Sequence, residues 1–228
     1  MNDNVFGGVR ACVFDAYGTL FDVHSAVGRH SARLTDASAV SMLWRTKQLE
    51  YTWLRTLMGR YVDFWQITQD ALDFALDTHG VDDPLLRKDL TQAYLELSCY
   101  PEVPKVLGDL KARGFRCAIL SNGSPDMLSA AVRNSELENF FDVVISIDAI
   151  GVYKPDPRVY QMAVDQLGLD PAAIAFQSSN AWDAAGAGAF GFKVAWINRF
   201  AQQAERLDTV ADAELRDLKG LPDLLPGV

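Results

Sequence analysis

"VFDAYGTLFD", Val13 to Asp22, sets the reading of the whole chain. The apolar run entering it, "RACVF", is short and continuous, the pattern of a strand buried on both faces. It ends on a carboxylate, Asp15, and a Gly18-Thr19 turn follows. An acidic group at the carboxyl end of such a strand stands where open parallel sheets place their ligands. Two places on, where many enzymes carry a second Asp, this chain has Tyr17.

Working outward, "RCAILSNG", "DVVISIDA", "AIAFQSSN" and "KVAWINR" read as further buried strands, separated by stretches with helical spacing. The fold class is therefore α/β, a parallel sheet covered on both faces. Ser124-Pro125, Asp156-Pro157 and Asp170-Pro171 each offer an N-cap followed by proline at the first helical position. Gly114 and Gly191 stand where helices would end. From Val23 to Cys99 no strand signal occurs. Three apolar stripes fill the gap: Leu49, Trp53 and Leu57; Phe64, Ile67, Ala71 and Phe74; Leu86, Leu90, Ala93 and Leu97. The expected organisation is a core of residues 1–22 and 100–228 with a helical cap, residues 23–99, inserted after the first strand. The tail "LKGLPDLLPGV" is expected to pack loosely.

The chain has 228 residues, a net charge of -9 and 49% hydrophobic residues, enough for a sizeable core. The acidic balance argues against a nucleic-acid partner. No apolar run approaches the roughly 18 residues of a membrane span. Three cysteines form no disulfide framework, and an odd number without a signal peptide fits a reducing cytoplasm.

The polar residues at the strand ends are Asp15; Ser121 and Asn122; Ser178, Ser179, Asn180 and Asp183; and Lys154 lies in "VYKPDPRVY" before a helix. Each has an ordinary reading taken singly. Ser and Asn form turns, Asp caps helices, and a lone Lys is usually a solvated charge. Together they place one carboxylate cluster, one cation and several hydroxyl and amide groups at one edge of a sheet.

The order "DAYGTLFD", "LSNGSP", "YKPDPRVY", "SSNAWDAAGA" resembles the haloacid dehalogenase superfamily. With Tyr17 and the segment "WRTKQLEYTWLRTLMGRY", it resembles more narrowly the L-2-haloacid dehalogenases. The resemblance runs through nearly the whole chain. It implies a Rossmann-like core with a helical cap, and hydrolysis of short L-2-haloalkanoic acids to D-2-hydroxy acids through an ester on Asp15. By the same resemblance Thr19 orients Asp15, and Lys154 balances its charge and pairs with Asp183. Ser121 and the backbone N–H groups after Asp15, from Ala16 onward, hold the substrate carboxylate. Arg45 cradles the departing halide with Asn122 opposite. Tyr17, Leu49, Phe64 and Trp182 wall the pocket. Ser178, Asn180, Lys154 and Asp183 position the water that cleaves the ester, and Tyr160 sits beside Lys154. Thr46 departs from the family pattern, where a longer Gln follows the arginine, and bears on substrate range.

Tyr17 has a chemical reason within this resemblance. In the superfamily's phosphatases an Asp there protonates the leaving group, whereas halide is a weak base and needs no proton. "FQSSNAWD" is also poor in the carboxylates that Mg²⁺ favours, so neither metal nor cofactor is expected. The expected partners are a 2-haloacid and, by resemblance, a second copy in a homodimer. Two other readings stand beside this one: a Mg²⁺-dependent phosphatase or phosphonate-cleaving relative, and a non-catalytic member that binds through its cap.

Overall fold

The computed structural model describes residues 5–227. In chain order the elements are β1 (Ala11–Phe14), α1 (Ser25–Gly28), α2 (Ala37–Met58), α3 (Phe64–Thr78), α4 (Pro84–Leu95), α5 (Val103–Ala112), β2 (Arg116–Ser121), α6 (Pro125–Asn134), β3 (Val143–Ser146), α7 (Pro157–Leu167), β4 (Ile174–Ser178), α8 (Ala181–Phe190), β5 (Lys193–Ile197), β6 (Ala213–Leu215) and α9 (Leu221–Leu224). The strands form one parallel sheet in the order β3-β2-β1-β4-β5-β6. All four residues of β1 are buried, as a strand with helices on both sides requires.

The order of the strands fixes where a ligand can sit. From β1 the sheet grows one way through β2 and β3 and the other way through β4, β5 and β6. Right-handed crossovers then put α5 and α6 on one face and α7 and α8 on the other. The reversal falls between β1 and β4, and the crevice above their carboxyl ends is the expected ligand position. Asp15 follows β1 directly, and Ser179 and Asn180 follow β4.

The sheet is interrupted after β1 by helices α1 to α4. Three aspartates start the long ones: Asp36, Asp63 and Asp83 each accept the N–H three residues on, from Ala39, Gln66 and Leu86. The outgoing and returning chains are joined by backbone bonds. Phe21 bridges Cys99 antiparallel, Asp22 N donates to Ser98 O at 3.0 Å and Tyr100 N to Leu20 O at 2.9 Å.

The strand and helix signals fare unevenly. The five runs named from the sequence contain β1 to β5. A sixth strand, β6, escapes the apolar criterion because it is a three-residue edge strand with one glutamate. Ser124-Pro125 and Asp156-Pro157 start α6 and α7, but Asp170-Pro171 opens only one 3-10 turn before β4. Gly191 ends α8 and Gly114 follows α5, both at positive φ. The stripe expected on α2 is displaced: Leu57 is 83% exposed, and the buried positions are Val40, Trp44, Gln48 and Thr52. On α3 the stripe holds except for Phe74, which is exposed, and on α4 it holds throughout, with Leu97 buried just beyond the helix. The tail is not loose. Leu218, Leu221 and Leu225 are buried, and Arg113 donates to the carbonyls of Pro222 and Leu225.

Leu221 is fully buried, so Leu221→Ala should lower the free energy of unfolding by about 2–4 kcal/mol, the range for truncating a core leucine. Urea denaturation checks it; a shift below about 0.5 kcal/mol, the scale of a surface substitution, would return the tail to a fraying end.

Candidate active site

The site is organised on a buried cation. Lys154 lies in the loop before α7 with its side chain 1% exposed, and its Nζ is 3.0 Å from Asp15 Oδ1 and 2.9 Å from Asp183 Oδ2. Phe176 of β4 packs its ring 5.0 Å from the same nitrogen. Burial pushes the ammonium down, but the charges of Asp15 and then Asp183 outweigh it and leave Lys154 above the ordinary lysine value. It is a cation at neutral pH.

Asp183 sits in the first turn of α8 and is fully buried. Its second oxygen, Oδ1, accepts from Tyr160 Oη at 2.8 Å. Burial pushes its carboxyl up, and the Lys154 charge counteracts without cancelling the effect. Tyr160 thus bonds the partner of Lys154 rather than Lys154.

Asp15 is 6% exposed. While Oδ1 faces the ammonium, Oδ2 accepts from Thr19 Oγ1 at 3.0 Å and Asn180 Nδ2 at 3.0 Å, with Ser178 Oγ at 3.5 Å. Thr19 is aimed in turn by the Ser179 N–H, which donates to its Oγ1 at 2.8 Å. Gly18 makes this approach possible: its φ is +92°, and a Cβ there would lie 3.0 Å from Ser179 Oγ. Among the described residues, the N–H groups of Ala16 and Tyr17 donate to no protein acceptor. Two backbone donors beside the carboxylate are therefore free for a ligand.

Arg45 reaches this cluster from α2. Its Nη2 donates to Tyr17 O and Asn180 Oδ1, both at 3.2 Å, and its Nη1 to Gln48 Oε1 at 2.7 Å. Asn180 therefore links Arg45 to Asp15. The asparagine bonded to Arg45 is this one and not Asn122, whose Oδ1 instead accepts the Lys154 backbone N–H at 3.1 Å. Ser121 is buried and its Oγ accepts from Gly123 N at 3.1 Å.

The aromatic wall is built on Tyr17. Its ring stacks on Tyr94 with centroids 5.7 Å apart and also lies 5.7 Å from Phe64. Burial first, then Tyr94, pushes its phenol well above the ordinary value, so at neutral pH it carries no charge. Gly123 gives the ring its place: a Cβ there would come within 2.7 Å of a Tyr17 ring carbon. An open cleft of about 500 Å³ lies above, lined by Arg45, Thr46, Leu49, Asn180, Trp182 and Phe200 among others. Of the expected wall, Leu49 and Trp182 line this cleft; Tyr17 and Phe64 do not, Phe64 backing Tyr17 from within the cap, and Ser121 and Asn122 also lie outside its lining. A larger hollow of about 800 Å³ on the outer face of α2 and α3 is lined by Arg55, Arg60, Asp70, Asp73 and Asp77, and among these Arg55 pairs with Asp70 and Asp73 with Arg87.

The chain matches the model of haloacid dehalogenase-like hydrolases over residues 9–191. It is 52% identical over 219 residues to (S)-2-haloacid dehalogenase 1 of Pseudomonas sp. strain CBS-3, covering 95% of this chain and 96% of the relative. The chain belongs to the haloacid dehalogenase family. Among solved structures, a dehalogenase at 49% identity superposes with a TM-score of 0.94 over 96% of this chain and 98% of that one. The L-2-haloacid dehalogenase of Xanthobacter autotrophicus with chloropropionic acid covalently bound superposes with a TM-score of 0.88 at 40% identity, over 95% and 98%. The Rossmann-like core with helical cap is the architecture of this family.

In this family member the space between the two carboxylates is filled by Lys154 Nζ. Among the described residues no group of three or more His, Cys, Asp or Glu side chains is arranged to hold a metal. The donor set does not fit a hard divalent ion, which favours several free carboxylate oxygens. Three site residues lay outside the sequence reading. Gln48 and Tyr94 are buried polar groups on apolar helix faces, and His24 lines the cleft with its Nδ1 2.8 Å from Ser41 Oγ. The signal that could have found Gln48 is its spacing, one turn from Arg45.

Removing the cation should expose its structural cost. Lys154→Met leaves buried carboxylates without a counter-charge, a loss of about 3–5 kcal/mol. With no ammonium opposing burial, the Asp183 carboxyl rises further. A carboxyl raised on folding stabilises below its unfolded value, near 4, and that stability is lost as pH rises through the folded value. The deficit against the parent in urea denaturation should therefore be larger at pH 8 than at pH 5; equal deficits would mean that the carboxylates do not depend on Lys154.

Proposed function

We propose that this chain is an (S)-2-haloacid dehalogenase, a hydrolase that converts short L-2-haloalkanoic acids to D-2-hydroxy acids. The observation that carries the reading is Asp15. It is a buried carboxylate paired with Lys154 at 3.0 Å, with a neutral, ring-stacked tyrosine where a phosphatase would keep an acid.

The proposed steps follow from the geometry. The substrate carboxylate lies on the free N–H groups of Ala16 and Tyr17 and beside Ser121. This presents Cα to Asp15, whose oxygen attacks in line as a carbon–halogen bond breaks. The bonding pair leaves with the halide, toward Arg45. Leu49, Tyr17 and Trp182 keep water from the reacting carbon. A water positioned by Ser178, Asn180, Lys154 and Asp183 then attacks the ester carbonyl of Asp15. The bond from that carbonyl to the substrate oxygen breaks, the 2-hydroxy acid leaves with one proton of the water, the other passes to solvent, and the carboxylate is regenerated. The Xanthobacter structure, with chloropropionic acid covalently bound, supports the two-step route for this relative's kin.

We also infer that residues 23–99 form the cap unit, and that the enzyme is a cytoplasmic homodimer. The three cysteines are free, and the outer face of α2 carries the exposed apolar residues Leu54, Leu57 and Met58. Among the described residues no helix is long and apolar enough to cross a membrane.

The deciding experiment is halide release from each enantiomer of 2-chloropropionate after exhaustive EDTA treatment. L-2-chloropropionate should give D-lactate without added metal, and the D-substrate should turn over poorly. Retention at carbon, equal use of both enantiomers, or activity restored only by Mg²⁺ would return the chain to another branch of the superfamily.

Inversion does not separate direct attack by water from attack by Asp15, but oxygen labelling does. With excess enzyme in H₂¹⁸O and a single turnover, ¹⁸O should enter the Asp15 carboxylate and the product hydroxyl should stay unlabelled. Mass spectrometry of the peptide containing Asp15 reads the result. Label in the hydroxy acid with a light peptide would make Asp15 a general base.

A further inference from the structure

We infer that Gln48 is a positioning residue for the dehalogenation, holding the Arg45 guanidinium in the orientation that receives the halide. The inference rests on the proposed role of Arg45 and goes beyond it to what aims the side chain.

Gln48 is 1% exposed, on the stripe of α2 that packs into the cap. An amide in that setting is costly unless its groups are bonded, and both ends of this one are. Nε2 donates to Thr68 Oγ1 at 2.7 Å, while Oε1 accepts from Arg45 Nη1 at 2.7 Å and Tyr94 Oη at 3.1 Å. The amide can take only one orientation. The Thr68 hydroxyl proton is spent on Phe64 O at 2.7 Å, so its oxygen is left to accept. A flipped amide would turn its NH₂ toward a guanidinium, which has no acceptor.

The anchor is itself braced. Tyr94 stacks on Tyr17 at 5.7 Å and packs on Trp44 at 5.1 Å, and Trp44 Nε1 donates to Thr68 O at 2.8 Å. Every partner of Gln48 is therefore fixed by a second contact within the cap or against the wall of the site. Arg45 has one short bond, to Gln48 at 2.7 Å, and two longer ones from Nη2 at 3.2 Å. The grip lies at Gln48, and Nη2 is the end offered to the site. An arginine without that grip regains rotamer freedom and points its fork at the leaving group only part of the time.

The test is a double-mutant cycle on kcat with L-2-chloropropionate and L-2-bromopropionate, using the parent, Gln48→Met, Arg45→Lys and the double variant. Methionine keeps length and volume while removing the strong acceptor. In the parent background Gln48→Met should lower kcat roughly 10- to 100-fold, the scale of a small misplacement of a catalytic group. The loss should be greater for chloride than for bromide, because the poorer leaving group leans harder on Arg45. In the Arg45→Lys background the same change should cost less than about 2-fold, since coupled residues are not additive. An equal factor in both backgrounds and with both halogens, or no loss at all, overturns the inference. Should Gln48→Met not fold, Thr68→Val frees the far end of the amide at nearly constant volume and should carry the same signature. If the parent releases no halide, the proposed activity falls by itself. The coupling is then read from the urea midpoints of the four proteins, where additive shifts overturn the positioning.

Discussion

The structure depends on one buried ammonium shared by two carboxylates. Asp15 follows β1, Asp183 opens α8 after β4, and Lys154 arrives from the loop before α7, so the ion group ties together both sides of the point where strand order reverses. A triad of this kind adds little net stability by itself, because desolvation consumes most of the attraction. Its effect is positional. None of the three groups can move without stranding a charge, and the hydrogen bonds of Thr19, Asn180 and Tyr160 then complete the carboxylates' coordination. The same ammonium lies between the two carboxylates and supplies their counter-charge from the chain itself.

The second half of the site is brought by α2. Its inner stripe is only half apolar, Val40 and Trp44 being followed by Gln48 and Thr52, while the large apolar Leu54, Leu57 and Met58 are exposed, both departures from an ordinary surface helix. Both departures become intelligible once function is considered. Gln48 faces inward and bonds the Arg45 guanidinium at the cap's edge, while the Thr52 hydroxyl turns back onto Leu49 O of its own helix. The outward Leu57 and Met58 form an apolar face of the kind that second copies of a chain cover.

This arrangement explains what the sequence disclosed and what it withheld. β1 to β5 were legible because strands covered on both faces are continuous apolar runs, and Asp15, Ser178, Asn180 and Asp183 were legible as polar residues where those runs stop. Lys154 stood with them as the one cation of the cluster, its pairing with Asp183 coming from the family resemblance, and Arg45 needed that resemblance altogether, since a lone cation on a helix has no local signature. Gln48 was hidden because a polar residue in a helix reads as solvent-facing, and only the tertiary partners Thr68 and Tyr94 show otherwise. β6 was too short and polar to register. The tail was expected to pack loosely because chain ends commonly fray, although Leu218, Leu221 and Leu225 keep the spacing of one helical face and are buried.

Arg45 is the one charge that the cap contributes to a cluster otherwise built on the sheet. On the sheet side Asp15 and Asp183 share the Lys154 ammonium, and from the cap side the Arg45 guanidinium reaches Asn180 Oδ1 at 3.2 Å. Asn180 joins the two halves by bonding both Arg45 and Asp15. Of the three Arg45 hydrogen bonds two cross to the sheet and one stays in the cap, so an anion arriving at Nη2 would have to compete with the very bonds that join the two halves.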